Sequence, residues 1–150
     1  MASTLQQRLT DDMKTAMRSK DAQRLGVIRL IRAAIKQREV DERIELDDSQ
    51  VLAILDKMTK QRRDSIEQYT KGDRPELAEK EQAEIEIISH YLPPALSEAE
   101  IETMISEAIT TSGASSAKEM GKVIGLLKNK LQGRADMGAV SAQIKARLDA

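Results

Sequence analysis

The sequence contains no cysteine, phenylalanine or tryptophan, and its 150 residues include one histidine and two tyrosines. Without cysteine there is no disulfide, no thiolate nucleophile and no cysteine-ligated zinc, and one histidine leaves little for imidazole coordination of a metal. The scarcity of aromatic rings also argues against a protein that binds single strands by stacking their bases. These gaps predict a protein with no metal site and no cofactor.

The short motifs that mark common catalytic and nucleotide-binding sites are missing too. The chain has no GxxxxGK[ST] phosphate loop, no GxGxxG, no HExxH and no nucleophile elbow. His90, the single histidine, lies at the end of a predicted helix, where an imidazolium interacts with the negative helix end and is more often structural than catalytic. We predict no catalytic residue, since an enzyme would need a site that these motifs do not describe.

Targeting and membrane signals are absent from the sequence as well. No apolar run is long enough to span a bilayer, and the N-terminus lacks the basic and apolar regions of a signal peptide. The sequence therefore predicts a cytoplasmic protein with no membrane partner and no trimming of its N-terminus.

Charge is balanced in number but not in position. The chain has 24 Lys and Arg against 25 Asp and Glu, which gives a formal net charge of −1. Basic residues dominate segments 8–36 and 118–147, whereas acidic residues collect in 39–48 and 98–107. Attraction to nucleic acid would therefore come from a basic surface on a nearly neutral protein rather than from its total charge.

Apolar residues recur at helical spacing through most of the chain, and the alternation typical of strands is absent. The fold class is therefore predicted to be all-α. Pro93 and Pro94 cannot donate helical hydrogen bonds, so they are predicted to end the fourth helix and to mark a domain boundary. We predict an N-terminal four-helix domain over residues 1–92 and a small three-helix tail domain over residues 93–150.

Capping residues predict where the helices begin and end. Three pairs have the spacing of a capping box and predict the starts of helices 1, 5 and 6: Ser3 with Gln6, Ser97 with Glu100, and Ser116 with Glu119. Other starts are predicted at Asp21, at Asp47 or Asp48, at Asp73 with Pro75, and at Asp136. Gly72, Gly113 and Gly133 are predicted to end helices. The second helix is apolar over a wide arc that includes Leu30, which predicts a central position for it.

The sixth predicted helix contains two glycines that its apolar arc does not need. Each is about 1 kcal/mol less favourable in a helix than alanine. They fall opposite that arc, on a face shared by Lys118, Gly121, Lys122, Gly125, Lys128 and Asn129. Such a face lets a phosphate backbone approach among lysines, which attract it in a salt-dependent way. It equally suits a solvated surface on which a helix of the first domain or of a partner docks closely.

Charged residues also fall within the apolar arcs of the third and fourth predicted helices. Arg62 lies in one arc, and Glu81 and Glu84 lie in the other. Because an isolated buried charge is very costly, we predict that Arg62 meets Glu81, Glu84 or both across the helical hairpin. Two neighbouring carboxylates could instead serve as general acid and base. The structural ion pair is the preferred interpretation, because no second polar cluster accompanies them.

Five segments in order give the chain a resemblance to a known family: RLGVIRLIRAAIK, KQRRDSIEQY, ELAEKEQAEIEIISHYLP, MGKVIG and GRAD. Together they resemble the YqeY family, which is related to the C-terminal region of the B subunit of glutamyl-tRNA(Gln) and aspartyl-tRNA(Asn) amidotransferase. The resemblance implies a helical domain followed by a tail domain like the one with which the amidotransferase contacts tRNA. It also implies a family label of carbon–nitrogen ligase with glutamine as amido-N-donor. This chain lacks the cradle domain that binds ATP, magnesium and the aminoacyl ester, and it lacks the glutaminase subunit.

The tail motif is the part of the resemblance that transfers residue by residue. It comprises Gly121, Lys122, Gly125, Gly133, Arg134 and Asp136, which the resemblance places in a tRNA-facing or docking region. The resulting hypothesis is a non-catalytic accessory module that recognises tRNA by shape, with the basic sixth helix and the Gly133–Arg134 turn approaching the phosphate backbone. The alternative is a protein-interaction module that docks on an amidotransferase, an aminoacyl-tRNA synthetase or another translation component. The sequence leaves the oligomeric state open.

Overall fold

A computed structural model describes residues 3–131 and 133–149, and this part of the chain is helical with no strand. The all-α prediction is therefore confirmed. Packing divides the chain into two compact units, Met1–Leu92 and Pro93–Ala150. The helices are α1 (Thr4–Ser19), α2 (Ala22–Glu42), α3 (Asp48–Lys71), α4 (Pro75–Ser89), α5 (Glu98–Ser112), α6 (Met120–Leu131) and α7 (Met137–Asp149), with a 3-10 turn at Ala117–Glu119 before α6.

The core of the first unit is aliphatic and is built around α2, which packs against α1, α3 and α4. Its central position agrees with the wide apolar arc. Leu30 is an exception, because it is 49% exposed and lies roughly 115° from the buried side of the helix. The buried residues of this core are Leu5, Leu9, Val27, Ile28, Ile31, Ile35, Leu46, Val51, Leu55, Met58, Ile87, Ile88 and Tyr91.

The first turn of α1 is capped by Ser3 and tied to the start of α3. The Ser3 hydroxyl oxygen accepts the Gln6 backbone N–H, as predicted. The capping box does not close, because the Gln6 side chain donates to the Leu46 carbonyl at 3.1 Å instead. Asp48 accepts the Leu5 N–H at 3.1 Å and the Ser3 hydroxyl. These hydrogen bonds hold the pKa of Asp48 below its ordinary value.

The remaining helix starts of the first unit are set by aspartate and proline. Asp21 caps α2, and Asp47 caps α3 in a reciprocal box with Gln50. Pro75 occupies the first turn of α4, as predicted, but the residue before it, Arg74, makes no side-chain capping bond. Because Arg74 occupies the N-cap position, the helix does not begin at Asp73.

The turn between α3 and α4 takes its left-handed residue from an aspartate. α3 does end at Gly72, yet this glycine has φ −86° and is not left-handed. Asp73, with φ 55°, adopts the left-handed conformation instead. Aspartate tolerates this region better than most residues because its short side chain bonds locally.

α4 ends four residues before Pro93, so the double proline does not terminate it. Its last turn tightens, with the N–H of Tyr91 donating to Ile88 at 3.0 Å. This turn places Tyr91 in the core at 2% exposure, where its hydroxyl donates to Asp12 at 2.5 Å. Burial and the Asp12 carboxylate raise the pKa of Tyr91, so the phenol stays a neutral donor. Arg8 covers the Tyr91 ring at 5.1 Å and donates to the carbonyl of exposed His90.

The second unit has its own aliphatic core between α5, α6 and α7. Ser97 caps α5, and Gly113, with φ 70°, ends it, as predicted. The guanidinium of Arg147 on α7 donates to Ser106 and Glu102 on α5. The buried residues of this core are Ile105, Ala108, Ala114, Val123, Leu127, Leu131, Val140, Ile144 and Leu148.

The capping box predicted at Ser116 does not form before α6, whereas the cap predicted at Asp136 for α7 is confirmed. Ser116 makes no side-chain capping bond, because the chain runs through a 3-10 turn before the α-helix begins. Glu119 is instead close to the hydroxyl of Ser115, at 3.5 Å. The carboxylate of Asp136 accepts the N–H of Gly138 at 3.0 Å and caps α7. Gly133 has the left-handed φ of 77° expected for a helix C-cap; its neighbour Gln132 lies outside the described residues.

Candidate functional site

The outer face of α6 has two exposed glycines, Gly121 and Gly125. The helix buries Val123, Leu127 and Leu131 on its opposite side. A Cβ atom built at Gly121 or Gly125 meets no atom of the described residues within 4 Å. The glycines therefore make no room for packing within the second unit, in agreement with the helical projection. They leave an open strip of helix surface.

Lysines border this open strip. Lys118, Lys122, Lys128 and Asn129 are all exposed. Among the described residues, only Lys122 of these lysines has a carboxylate within salt-bridge distance, Glu119 at 4.0 Å. An exposed pair of this length contributes little, so it does not neutralise the face. We call the surface formed by Lys118, Gly121, Lys122, Gly125, Lys128 and Asn129 the α6 face.

Charge in the second unit is separated by helix. Residues 117–131 contain four lysines and one glutamate, whereas α5 contains four glutamates and no basic residue. Within the second unit, α6 with the turn before it is therefore positively charged, whereas α5 is negatively charged. The positive potential of the α6 face extends about one Debye length, 8 to 10 Å, at physiological ionic strength.

Gly133 and Arg134, the other predicted nucleic-acid contacts, have a role inside the second unit. The Arg134 Nε donates to the Pro94 carbonyl at 3.1 Å, and the Arg134 carbonyl accepts the Leu96 N–H at 2.9 Å. Together with Gly133 in its left-handed conformation, these bonds attach the segment before α5 to the α6–α7 turn. This bracing function is separate from the RNA contact that the sequence predicts for Arg134.

Leu126 is a feature of α6 that the sequence analysis did not single out. It is 42% exposed and borders a small cavity of about 150 Å³ between α5 and α6. Met104 and Lys130 also line this cavity. The sequence could have indicated its exposure, because the helical projection places Leu126, alone among the leucines of α6, outside the apolar arc.

The first unit pairs Arg62 with Glu84. The Arg62 Nε lies 3.3 Å from the Glu84 Oε2, and the two side chains are 13% and 16% exposed. The Arg62 Nη1 also donates to the Met58 carbonyl at 3.2 Å. Among the described residues, Glu81 forms no salt bridge. The geometry is a charge pair joining α3 to α4, with one carboxylate rather than two.

The described residues contain neither a cluster of metal ligands nor a membrane-spanning helix. Within residues 3–131 and 133–149, no three histidine or carboxylate side chains are grouped as a metal site. In that part of the chain, every helix is too short or too polar to cross a bilayer.

Several curated proteins of fungi have sequences similar to this chain. "Altered inheritance of mitochondria protein 41, mitochondrial" of Lachancea thermotolerans is 41% identical over 105 residues, which cover 68% of this chain and 56% of the relative. The protein of the same name from Pyrenophora tritici-repentis is 33% identical over 142 residues, covering 92% and 77%. That of Saccharomyces cerevisiae is 29% identical over 123 residues, covering 78% and 66%.

These relatives correct the predicted location, although the chain covers only part of the length of several of them. The chain spans about half the length of several of the curated relatives it matches, with 55% to 57% covered in four of them. Each relative is named as a mitochondrial protein, which contradicts the predicted cytoplasmic location. That prediction rested on the lack of a signal peptide and of a membrane span, and neither feature distinguishes the cytoplasm from the interior of an organelle.

The family assignment covers nearly the whole chain. A family model described as Yqey-like protein matches residues 6–148, which include all seven helices except the ends of the first and last. The matched region contains both units and the complete α6 face. The chain therefore belongs to the Yqey-like protein family.

Proposed function

We propose that this protein is a non-catalytic, tRNA-binding accessory module whose α6 face contacts the phosphate backbone of the RNA. The observation that supports it most is the open strip at Gly121 and Gly125 between exposed lysines. Each glycine lowers helix stability by about 1 kcal/mol, and no contact with the described residues offsets this loss. An external ligand that approaches the helix closely accounts for both glycines.

The lysines define the chemistry of that ligand. Three of the four lysines in residues 117–131 have no carboxylate partner among the described residues, and the fourth is 4.0 Å from Glu119. Lysine ammonium groups attract phosphates and release counterions from nucleic acid, which gives a binding energy that depends steeply on salt. Contacts of this kind position a duplex but carry little sequence information, so recognition would be of tRNA shape.

The resemblance to an amidotransferase B subunit supports tRNA as the nucleic acid. Three of the six residues that carry the tail resemblance lie on the α6 face: Gly121, Lys122 and Gly125. The parts of the amidotransferase that bind ATP and release ammonia have no counterpart in the five matching segments. We therefore assign binding, and not carbon–nitrogen ligation, to this chain.

A titration of the full chain with bulk tRNA tests the proposal. Replacing Lys122→Glu and Lys128→Glu should weaken binding at low salt by at least about tenfold, since two phosphate attractions become repulsions. The matched control is Lys60→Glu with Lys80→Glu, which makes the same charge change at exposed positions of α3 and α4. Control binding should stay close to wild type. Equal losses in both variants would contradict a specific role for the α6 face.

The second candidate is a protein-docking module, which the exposure of Leu126 favours. This side chain lies beside Gly125 and next to the small cavity between α5 and α6. A partner helix could use the glycine for close approach and the leucine as an apolar contact. If wild type fails to bind tRNA at low salt and Leu126→Glu loses a translation component that wild type retains, docking is the better account.

A further inference from the structure

A groove between α1 and α2 is a second cationic surface, and it belongs to the first unit alone. It has a volume of about 470 Å³, and the polar side chains that line it are Gln6, Thr10, Arg32, Lys36 and Glu39. A shallower cavity of about 450 Å³ adjoins it, sharing Gln6, Lys36 and Glu39 and adding Val40, Arg43, Ile44 and Glu45. The two form one continuous groove along the α1 side of α2, which we call the α1–α2 groove.

Arg32 and Lys36 supply positive charge to this groove. They lie one helical turn apart and are both exposed. Among the described residues neither has a carboxylate within salt-bridge distance. The Arg32 guanidinium donates to the thioether of Met13, which is a weak acceptor and carries no charge. The charge of Arg32 is therefore left for an external anion.

Glu39 is the acidic residue that lines the deeper part of the groove, and its carboxylate is already engaged. The Glu39 Oε2 accepts the Leu46 N–H at 3.0 Å and the Gln6 side-chain amide at 3.4 Å. These bonds join the carboxylate to the loop between α2 and α3. Neither Arg32 nor Lys36, both described residues, forms a salt bridge with this carboxylate.

The positive surface continues beyond the groove along both helices. Residues 14–36 contain seven basic residues and one acidic residue, Asp21. Asp21 pairs with Arg24, at 3.5 Å. The six others have no carboxylate partner among the described residues: Lys14, Arg18, Lys20, Arg29, Arg32 and Lys36. This density of unpaired charge suits a polyanion.

We propose that the α1–α2 groove binds phosphate groups of the tRNA backbone through Arg32 and Lys36. The proposal rests on the tRNA-binding function proposed above and adds a second contact surface to it. A guanidinium offers two parallel N–H donors that match the oxygens of a phosphate, and the lysine adds a mobile point charge. The groove is much larger than one phosphate, so it has room for a stretch of RNA backbone.

The lining of the groove favours a nucleic acid over an acidic peptide. In the deeper cavity, which Arg32 lines, the larger apolar members Leu9 and Ile35 are 0% and 3% exposed and offer almost no surface to a ligand. Among the described residues that line the groove, large exposed apolar side chains occur only toward the shallower cavity, where Val40 and Ile44 are 59% and 41% exposed. Peptide recognition depends on side chains that fill desolvated pockets, and the deeper cavity beside Arg32 and Lys36 offers no large exposed apolar side chain to line one. Phosphate contacts need only exposed cations.

The salt dependence of tRNA binding by the full chain tests the proposal. Each phosphate contact contributes roughly 0.7 to 0.9 to the slope of log K against log salt concentration. Replacing Arg32→Ala and Lys36→Ala should therefore reduce the slope by about 1.4 to 1.8. The control, Lys60→Ala with Lys80→Ala, removes the same charge elsewhere in the first unit and should leave the slope at its wild-type value. A wild-type slope in the groove variant would overturn the proposal.

The same titration separates the two proposed surfaces. If the groove variant has a wild-type slope while Lys122→Ala with Lys128→Ala reduces it, the α6 face stands and the groove proposal fails. If the groove variant alone has the reduced slope, the groove stands and the α6 face fails. Binding of a polyglutamate peptide that is lost in the groove variant, with unchanged tRNA affinity, would assign the groove to an acidic protein instead.

Discussion

Arg134 holds the backbone of Pro94 across 40 residues of sequence: its Nε donates to the Pro94 carbonyl at 3.1 Å. The Arg134 carbonyl accepts the N–H of Leu96 in turn, so the side chain and the backbone of Arg134 both form hydrogen bonds with the segment that precedes α5. The Gly133–Asp136 motif therefore braces the second unit, with Asp136 capping α7. These intramolecular roles account for part of the motif without any contact to RNA.

Replacing Arg134 should lower the stability of the second unit before it affects RNA binding. Arg134→Ala removes a hydrogen bond from a charged donor, which we expect to cost about 1 to 2 kcal/mol at this partly exposed position. Amide hydrogen exchange in α5 and α7 measures the loss within the unit. The control is Lys145→Ala, an exposed residue of α7, which should change little. Unchanged exchange together with lost tRNA affinity would instead make Arg134 a direct RNA contact.

Alanine in the open strip should separate stability from binding. Gly121→Ala and Gly125→Ala each meet open space, so each should stabilise the protein by about 0.8 to 1 kcal/mol. The added methyl groups should weaken tRNA binding, because they project from the α6 face and keep the RNA farther from the helix backbone. Gly26→Ala is the matched control, since it too lies in a helix and meets no atom within 4 Å. It should stabilise the protein without changing affinity; equal affinity in all three variants would contradict the role of the strip.

The ion pair between α3 and α4 should be required for stability. Arg62→Ala leaves Glu84 mostly buried and unpaired, which we expect to cost about 2 to 4 kcal/mol in the free energy of unfolding. The double replacement Arg62→Met with Glu84→Leu should recover most of this loss, because no charge is then left unpaired. Urea unfolding measures each variant. A loss from Glu81→Ala as large as that from Glu84→Ala would show that the pairing is wrong.

Acid should weaken the link between α1 and α3 through Asp48. Its pKa is lowered by hydrogen bonds from Ser3 and Leu5, so the carboxylate form stabilises the folded state. A lowered folded-state pKa means that this stabilisation is complete above the unfolded pKa of about 3.9 and is lost as pH falls through the folded value. Asp48→Asn should therefore be less stable than wild type at pH 7, with a gap that narrows below about pH 4. A gap independent of pH would contradict this linkage.

Local signals in the sequence predict much of this fold. Ser3, Asp21 and Asp136 cap helices because the bonds they make reach two or three residues along the chain. The position of Gly121 and Gly125 opposite the apolar arc follows from helical periodicity alone. The Ser116 cap failed because a 3-10 turn, which the same residues permit, replaces the first α-helical turn.

The features that sequence reasoning missed depend on contacts between distant residues. The end of α4 is set by Tyr91, whose hydroxyl bonds to Asp12 at a separation of 79 residues. Arg134 and Pro94 are likewise brought together only by folding. Arg32 and Lys36 are visible in the sequence as part of a basic segment, but the groove they line exists because α1 packs beside α2. Periodicity describes one helix face, whereas a groove needs two helices.

The central claim is that tRNA approaches the backbone of α6 at its open glycines, and NMR of the full chain titrated with a purified tRNA tests it most directly. The amide signals of Gly121 and Gly125 can be followed individually in a ¹⁵N–¹H correlation spectrum. The account predicts that both shift or broaden in proportion to the bound fraction, together with their neighbours Lys122 and Asn129, and that these changes reverse at high salt. Saturating tRNA that leaves the two glycine signals unmoved would contradict it.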